Sequence, residues 1–90
     1  MRIGELELRW ISPAPDGALR LAVSLRKKNG SAPLRNRIRR QLREIVRLKR
    51  EDLGAVWLQW SFPPRRLEAP TSLIRQNAQT ALSQAGLVPS

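Results

Sequence analysis

The sequence predicts a small α+β fold in which a single sheet is covered by two helices. Apolar residues occupy every second position in two stretches of the first 25 residues, which is typical of half-buried strands. From residue 34 the apolar spacing becomes that of an amphipathic helix, and a second such pattern lies near the C-terminus. An apolar stretch between them predicts a third strand, so the expected order is strand, strand, helix, strand, helix.

The first two strands are predicted on either side of the turn-like sequence SPAPDG (12–17), which is rich in proline, aspartate and glycine. The alternating apolar residues are Leu6, Leu8 and Trp10 before it and Leu19, Leu21, Val23 and Leu25 after it. Because a short turn joins the two stretches, we expect them to pair as a hairpin.

The first helix is predicted from about Leu34, with Pro33 just before it or in its first turn, where a missing N–H costs least. Its apolar stripe consists of Leu34, Ile38, Leu42, Ile45 and Val46. The third strand is predicted within DLGAVWLQWSF (52–62), which ends at two prolines. The second helix is predicted over 71–85, with Gly86 as its C-terminal cap.

Length and composition limit the classes of protein that this chain can represent. Its 90 residues are enough for one domain, predicted over 1–90, and it contains no cysteine or histidine. Disulfides, thiolate chemistry, most transition-metal sites and the usual general base are therefore excluded. The sequence has no apolar run of the ~18 residues that a membrane span needs. Two glutamates near the N-terminus do not suit a signal peptide, so a cytoplasmic location is expected.

Positive charge is the strongest compositional signal. The formal net charge is +10, and 12 of the 17 lysines and arginines lie within 20–50, with Glu44 as the single acid among them. Five arginines share one flank of the first predicted helix: Arg35, Arg39, Arg43, Arg47 and Arg50. Like charges at this spacing destabilise an isolated helix, which suggests an external polyanion such as nucleic acid or an anionic membrane.

The basic segment has three other interpretations. A solvated helix face is the simplest, but arginine pairs well with phosphate, and Lys27, Lys28 and Gly30 precede a helix N-terminus as in many phosphate sites. Membrane binding is disfavoured because the strands need the apolar face of the helix as a core partner. A helix-turn-helix is disfavoured because the flanking elements are predicted strands.

The stretch RLAVSLRKKNGSAPLRNRIRRQLREIVRL (20–48) resembles the signature of the bacterial ribonuclease P protein component. The residues that carry the resemblance are Lys27-Lys28, Gly30, Ala32, Arg35-Asn36-Arg37, Arg39-Arg40 and Arg43-Glu44. The stretch EDLGAVWLQWSFPP is also similar to the family's aspartate, buried strand and proline, and a helix follows it as expected.

The resemblance implies a basic subunit of a ribozyme that removes the 5′ leader from precursor tRNA. The catalytic RNA would hold the Mg²⁺ ions, and the protein would bind that RNA and precursor tRNA but no membrane or small-molecule substrate. It would contribute no catalytic residue and no metal ligand, which agrees with the lack of histidine and cysteine. The implied fold is a sandwich like that of the ribosomal protein domain 2 class, with an unusual left-handed βαβ crossover.

The resemblance and the charge pattern together predict an RNA-binding set. Its members are Arg26, Lys27, Lys28, Gly30, Arg35, Asn36, Arg37, Arg39, Arg40, Arg43 and Arg47. The cations would neutralise phosphates, so binding should weaken with salt. Asn36 could either bond RNA or hold the preceding loop.

Three tryptophans are candidates for stacking on unpaired nucleotides, including those of the leader: Trp10, Trp57 and Trp60. In a strand of a small domain a tryptophan more often belongs to the core. Because Trp57 and Trp60 are an odd number of positions apart, a regular strand points them to opposite faces, and one is expected in the core.

The sequence also departs from the family pattern. Family members usually begin with a helix that helps to form the leader cleft, and here Met1 lies almost at the first strand, so that helix is expected to be absent. Either the chain is a minimal form of the family, or its leader site is built differently. Asn29, Ser31 and Pro33 stand where small or β-branched residues are usual, and Arg26 replaces a serine.

Two other functions remain as alternatives. One is a general structured-RNA-binding protein, such as a ribosomal or assembly protein on a related scaffold. The other is a protein-only nuclease, which would need clustered carboxylates, whereas the seven acids of this chain are dispersed along it.

Overall fold

The computed structural model describes residues 1–89, which form one sheet, three α-helices and a 3-10 turn. The strands are β1 Arg2–Ile3, β2 Leu6–Ile11, β3 Arg20–Ser24 and β4 Trp57–Ser61. The helices are α1 Ala32–Leu48, α2 Arg50–Leu53 and α3 Thr71–Gln84, and the 3-10 turn is Lys27–Asn29. The predicted α+β class is confirmed; the two-residue strand β1 and the single-turn helix α2 were not predicted.

The sheet order is β1-β2-β4-β3, so the predicted hairpin between the first two long strands is wrong. Strand β4 lies between them, antiparallel to β2 and parallel to β3. The central position of a sheet excludes water from both edges, and β4, with a single exposed residue, is the most buried of the three long strands. The 12–19 segment therefore crosses over β4 to connect β2 with β3. Two hydrogen bonds hold it near the start of β4, from Ala14 N to Ala55 O and from Arg20 N to Val56 O (2.9 and 3.0 Å).

The parallel pairing makes β3, α1 and β4 a crossover unit, as the resemblance implied. A parallel neighbour requires a long connection, and α1 with α2 supplies it. The left hand of this crossover stays a prediction.

The core lies between the sheet and helices α1 and α3, on one face of the sheet. The sheet contributes Leu6, Leu8, Leu58 and Trp60; α1 contributes Ile38, Leu42, Ile45 and Val46; and α3 contributes Ile74, Ala78, Ala81 and Leu82. The residues that alternate with these on the strands lie on the opposite face, which we call the outer face. No helix of the described residues covers the outer face.

Local signals set the helix boundaries. Helix α1 begins two residues before the predicted start because the Ser31 hydroxyl accepts the Leu34 N–H at 3.3 Å, with Pro33 in the first turn as predicted. Helix α3 ends at Gln84, and Gly86 follows the cap with a φ of +73°, a left-handed conformation that glycine adopts without strain.

The loop between β4 and α3 (residues 62–70, the β4–α3 loop) is held from one side by Glu5. The Glu5 carboxylate accepts hydrogen bonds from the Ala69 and Glu68 amides (2.7 and 3.0 Å) and from Arg65 Nη1 (2.6 Å). Burial raises the pKa of Glu5, but these hydrogen bonds and the charge of Arg65 outweigh it, so the pKa lies below its ordinary value.

Replacing Ile38 or Leu42 with alanine should lower the free energy of unfolding by roughly 2–5 kcal/mol, because each side chain is fully buried. Arg43→Ala, on the exposed side of the same helix, should change it far less. Urea unfolding followed by circular dichroism measures both. Equal losses would show that the helix faces are wrongly assigned.

The Glu5 contacts should make stability depend on acid pH. Because its folded pKa is lowered, the stabilisation from Glu5 is fully present above the ordinary glutamate pKa and is lost as the pH falls through the folded value. In Glu5→Gln, the free energy of unfolding should therefore fall less between pH 7 and pH 3 than it does in the unmodified chain. Identical pH profiles would contradict this role.

Candidate nucleic-acid interface

The chain leaves β3 through a segment of basic residues that a buried asparagine holds in place. We call residues 26–30 the basic turn. Asn29 is 1% exposed, and its side-chain oxygen accepts the Arg26 N–H at 2.8 Å, which closes the turn. Its side-chain nitrogen donates to the carbonyls of Pro63 and Arg65, both at 2.8 Å. Arg26, Lys27 and Lys28 are all exposed.

Sequence reasoning did not assign this role to Asn29. The only signal was that an asparagine stands where the family usually has a small or β-branched residue. Every side-chain hydrogen-bonding atom of Asn29 has a partner, as a buried amide requires.

Gly30 packs closely against the start of α1, and two of the first three residues of the helix offer no free N–H to an anion. A Cβ at Gly30 would lie 2.5 Å from Leu34 Cδ2, so a side chain there would require Leu34 to move. In the first turn of α1, Pro33 has no N–H and the Leu34 N–H is bonded to Ser31.

Helix α1 presents the other predicted residues around the side that faces away from the core. Arg35 and Arg39 are half-buried at the edge of the core, and Asn36, Arg37, Arg40, Arg43 and Arg47 are exposed. Since successive residues are 100° apart around an α-helix, these positions cover more than half of its circumference. Arg40 lies opposite the apolar stripe, and Arg37 lies on the far side of Glu44 from the other arginines. Asn36 makes no hydrogen bond within the described residues that would hold the basic turn; Asn29 has that role.

Most of these cations are not neutralised within the chain. Arg47 is paired with Glu44 at 2.8 Å. The hydrogen bond and the charge of Arg47 hold the pKa of Glu44 below its usual value, and Glu44 in turn raises the pKa of Arg47. Across residues 1–89, no carboxylate lies within 4.0 Å of the other predicted cations. We call the surface formed by the basic turn and the exposed side of α1 the basic surface. Because most of its cations are unpaired, its positive potential can attract an external anion.

A groove runs between α1 and the free edge of β3. Its volume is about 390 Å³, and it is lined by Leu21 and Val23 of the strand and by Arg39 and Arg43 of the helix. The Nε of Arg35, one helical turn before Arg39, is buried and has no hydrogen-bond partner in the described chain. An unsatisfied guanidinium N–H favours a ligand that carries acceptors, such as phosphate.

The outer face of the sheet carries a larger cleft, of about 960 Å³. Its outward-pointing residues include Arg9, Ile11, Ala22, Trp57 and Gln59. Trp57 is held at the edge of the cleft because its indole N–H donates to Asp16 Oδ1 at 2.9 Å, while Asp16 also pairs with Arg20. The hydrogen bond from Arg20 is the main cause of a lowered Asp16 pKa, so the carboxylate stays ionised at neutral pH.

The three tryptophans therefore differ in position. Trp60 is 0% exposed and belongs to the core, so its interpretation as a stacking residue is wrong; it packs beneath both helices. Trp57 is half-buried and lies on the outer face, so the prediction that the two point to opposite faces is confirmed. Trp10 is 37% exposed, but it pairs with Leu58 and so lies on the helix-covered face, away from Trp57.

Residues 1–89 contain no group of three acidic, histidine or cysteine side chains placed to hold a metal ion. Within the same residues, no helix combines the length and the apolar character needed to cross a membrane.

Comparison with known sequences identifies the family. A family model described as Ribonuclease P matches residues 4–86. The ribonuclease P protein component of Thermus oshimai is 38% identical over 81 residues, which cover 90% of this chain and 50% of that protein. The corresponding protein of Thermus scotoductus is 36% identical over 83 residues, which cover 92% of this chain and 48% of that protein. The chain spans about half the length of the curated relatives it matches.

Comparison with solved structures supports the fold. The ribonuclease P protein of Staphylococcus aureus superposes with a TM-score of 0.81 over 97% of this chain and 80% of that one, at 21% sequence identity. The α+β architecture is therefore shared even where the sequences differ. Since the family model extends over nearly all of the sequence and the Thermus relatives match more than a third of the aligned positions, the chain belongs to the ribonuclease P protein component family.

Proposed function

We propose that this chain binds the catalytic RNA of ribonuclease P and assists it in removing the 5′ leader from precursor tRNA. The observation that carries the proposal is the basic surface, on which cations of the basic turn and α1 lie together, all except Arg47 without a carboxylate partner in the described chain. Family membership supports the proposal, since the matched relatives carry the name ribonuclease P protein component.

The basic surface would act through phosphate neutralisation. Each phosphate that a lysine or arginine contacts releases condensed counterions, so affinity depends steeply on salt. The planar guanidinium of arginine donates two parallel hydrogen bonds to one phosphate, which positions the RNA as well as attracting it. The helix presents these groups on a rigid scaffold, because its opposite side is fixed in the core.

The chemistry would belong to the RNA. We assign the catalytic Mg²⁺ ions to the RNA subunit, where they would activate water and stabilise the leaving oxygen. The chain's cations would reduce repulsion among the phosphates of the catalytic RNA and of precursor tRNA, which otherwise requires additional Mg²⁺. In this proposal no side chain of the protein transfers a proton or acts as a nucleophile. The cytoplasmic location stays a prediction.

The outer face is the candidate contact for the single-stranded leader. Its cleft combines the ring of Trp57 with apolar and amide side chains, and aromatic rings on sheet faces stack with unpaired bases. Arg9 and Arg20 at this cleft are paired with Glu7 and Asp16, so bases rather than phosphates would make the main contacts there.

Substituting Arg39 with alanine should weaken binding to the ribonuclease P RNA of the same genome without unfolding the domain. The slope of log affinity against log salt should fall by roughly 0.7–0.9 for one lost phosphate contact, and Arg35→Ala should behave similarly. The control is Arg2→Ala, which removes an equal charge from an arginine paired with Glu7 on the opposite edge strand. Filter binding between 50 and 400 mM KCl gives the slopes.

Two outcomes would contradict the RNA assignment. If Arg39→Ala and Arg2→Ala changed the slope equally, the basic surface would not be the specific site. If ribosomal RNA fragments bound as tightly as ribonuclease P RNA, the chain would instead be a general structured-RNA-binding protein.

Adding the chain to its cognate catalytic RNA should lower the Mg²⁺ concentration needed for half-maximal cleavage of precursor tRNA. The double variant Arg35→Ala/Arg39→Ala should restore most of the original requirement, because it removes two phosphate contacts. Cleavage assays over a Mg²⁺ titration measure the effect, with the chain alone as a control. An unchanged Mg²⁺ requirement would refute the assisting role, and cleavage by the RNA-free chain would indicate a protein nuclease.

A further inference from the structure

The β4–α3 loop lies directly against the basic turn, although more than 30 residues separate them in the sequence. Asn29 makes three contacts with this loop. Its side chain donates to the carbonyls of Pro63 and Arg65, and its main-chain carbonyl accepts the Leu67 N–H at 3.1 Å. Residue 66 is therefore flanked on both sides by residues bonded to Asn29.

The two arginines of the loop differ in charge pairing. Arg65 donates to the Glu5 carboxylate at 2.6 Å, so its charge is largely neutralised within the chain. Arg66 is exposed, and no carboxylate lies within 4.0 Å of it in residues 1–89. The loop thus adds one unpaired cation at the end of the protein where the basic turn lies.

Arg66 lies between two residues that bond Asn29, and Lys28 directly precedes Asn29. Consecutive Cα atoms are about 3.8 Å apart, so the backbones of Arg66 and Lys28 are each one step from a bond of Asn29. Long flexible side chains from these neighbouring positions can reach adjacent phosphates of one RNA strand. Asn29 determines this proximity, because its amide contacts both segments and is excluded from water.

We infer that Arg66 belongs to the RNA-binding surface, where it contacts a phosphate next to those contacted by Lys27 and Lys28, and that Asn29 is the positioning residue that holds it there. This inference rests on the proposed function, since it requires the basic turn to bind RNA. The inference extends the basic surface to Arg66, which lies outside α1 and outside the 20–48 stretch that resembles the family signature.

The first test measures the salt dependence of binding to the ribonuclease P RNA of the same genome. Arg66→Ala should lower the slope of log affinity against log salt by roughly 0.7–0.9, and Arg66→Lys should retain the slope because it keeps the charge. The control is Arg2→Ala, which removes an equal charge from the opposite edge strand of the sheet. Arg2→Ala should change the slope less than Arg66→Ala.

The second test separates positioning from folding with a double-mutant cycle. In the Asn29→Val background the loop loses its two side-chain bonds, so Arg66→Ala should produce little further change in slope. Asn29→Asp keeps the acceptor for the Arg26 N–H and loses both donors to the loop, so it should give the same result if Asn29→Val folds poorly. Circular dichroism at the assay temperature verifies that each variant is folded.

Each outcome decides one part of the inference. An unchanged slope in Arg66→Ala, with a reduced slope in Arg39→Ala, would overturn the role of Arg66 and leave the proposed function standing. An equal Arg66 effect in the Asn29 variants and the unmodified chain would overturn the positioning role of Asn29. If neither Arg39→Ala nor Arg66→Ala altered the slope, the proposed function itself would fail.

Discussion

The parallel pairing of β3 with β4 is the constraint on which the rest of the structure depends. Parallel neighbours end at the same edge of a sheet, so the segments that follow them, the basic turn and the β4–α3 loop, must meet there. The same pairing requires a long crossover connection, and α1 fills it. With β4 in the centre, Trp60 lies beneath the helices and Trp57 lies on the outer face.

Helix α1 carries a row of arginines on one side and packs into the core with the other, and these two features have opposite effects on its stability. Its arginines repel one another at spacings of three and four residues, which would destabilise the helix in isolation. Burial of Ile38, Leu42, Ile45 and Val46 stabilises it by a larger amount, since a fully buried aliphatic side chain contributes about 1.5–3 kcal/mol. The domain can therefore keep a concentrated positive surface on which Arg47 alone is paired with an acid in the described residues, and that surface is available for the proposed RNA partner.

The few carboxylates divide the cations into two groups. Arg2, Arg9, Arg20, Arg47 and Arg65 are paired with acids, and four of these five lie on the sheet or the β4–α3 loop. The predicted cations of the basic turn and α1, except Arg47, have no acid within salt-bridge distance in the described residues. This distribution supports the proposed phosphate contacts at α1 and the proposed base contacts at the outer face, two modes of binding that differ in their dependence on salt.

The sequence by itself determined the α+β class, the alternation of the strands, the two longer helices and the family signature, because each of these is a pattern among residues close together in the chain. Only the tertiary structure decided the sheet order, the burial of Trp60 and the neighbours of Asn29. The bonds from Asn29 join positions 34 and 36 residues apart, and local periodicity carries no information about which distant segments meet. The predicted hairpin was wrong for the same reason: alternation identifies a strand, whereas its partner is chosen by the burial of the whole sheet.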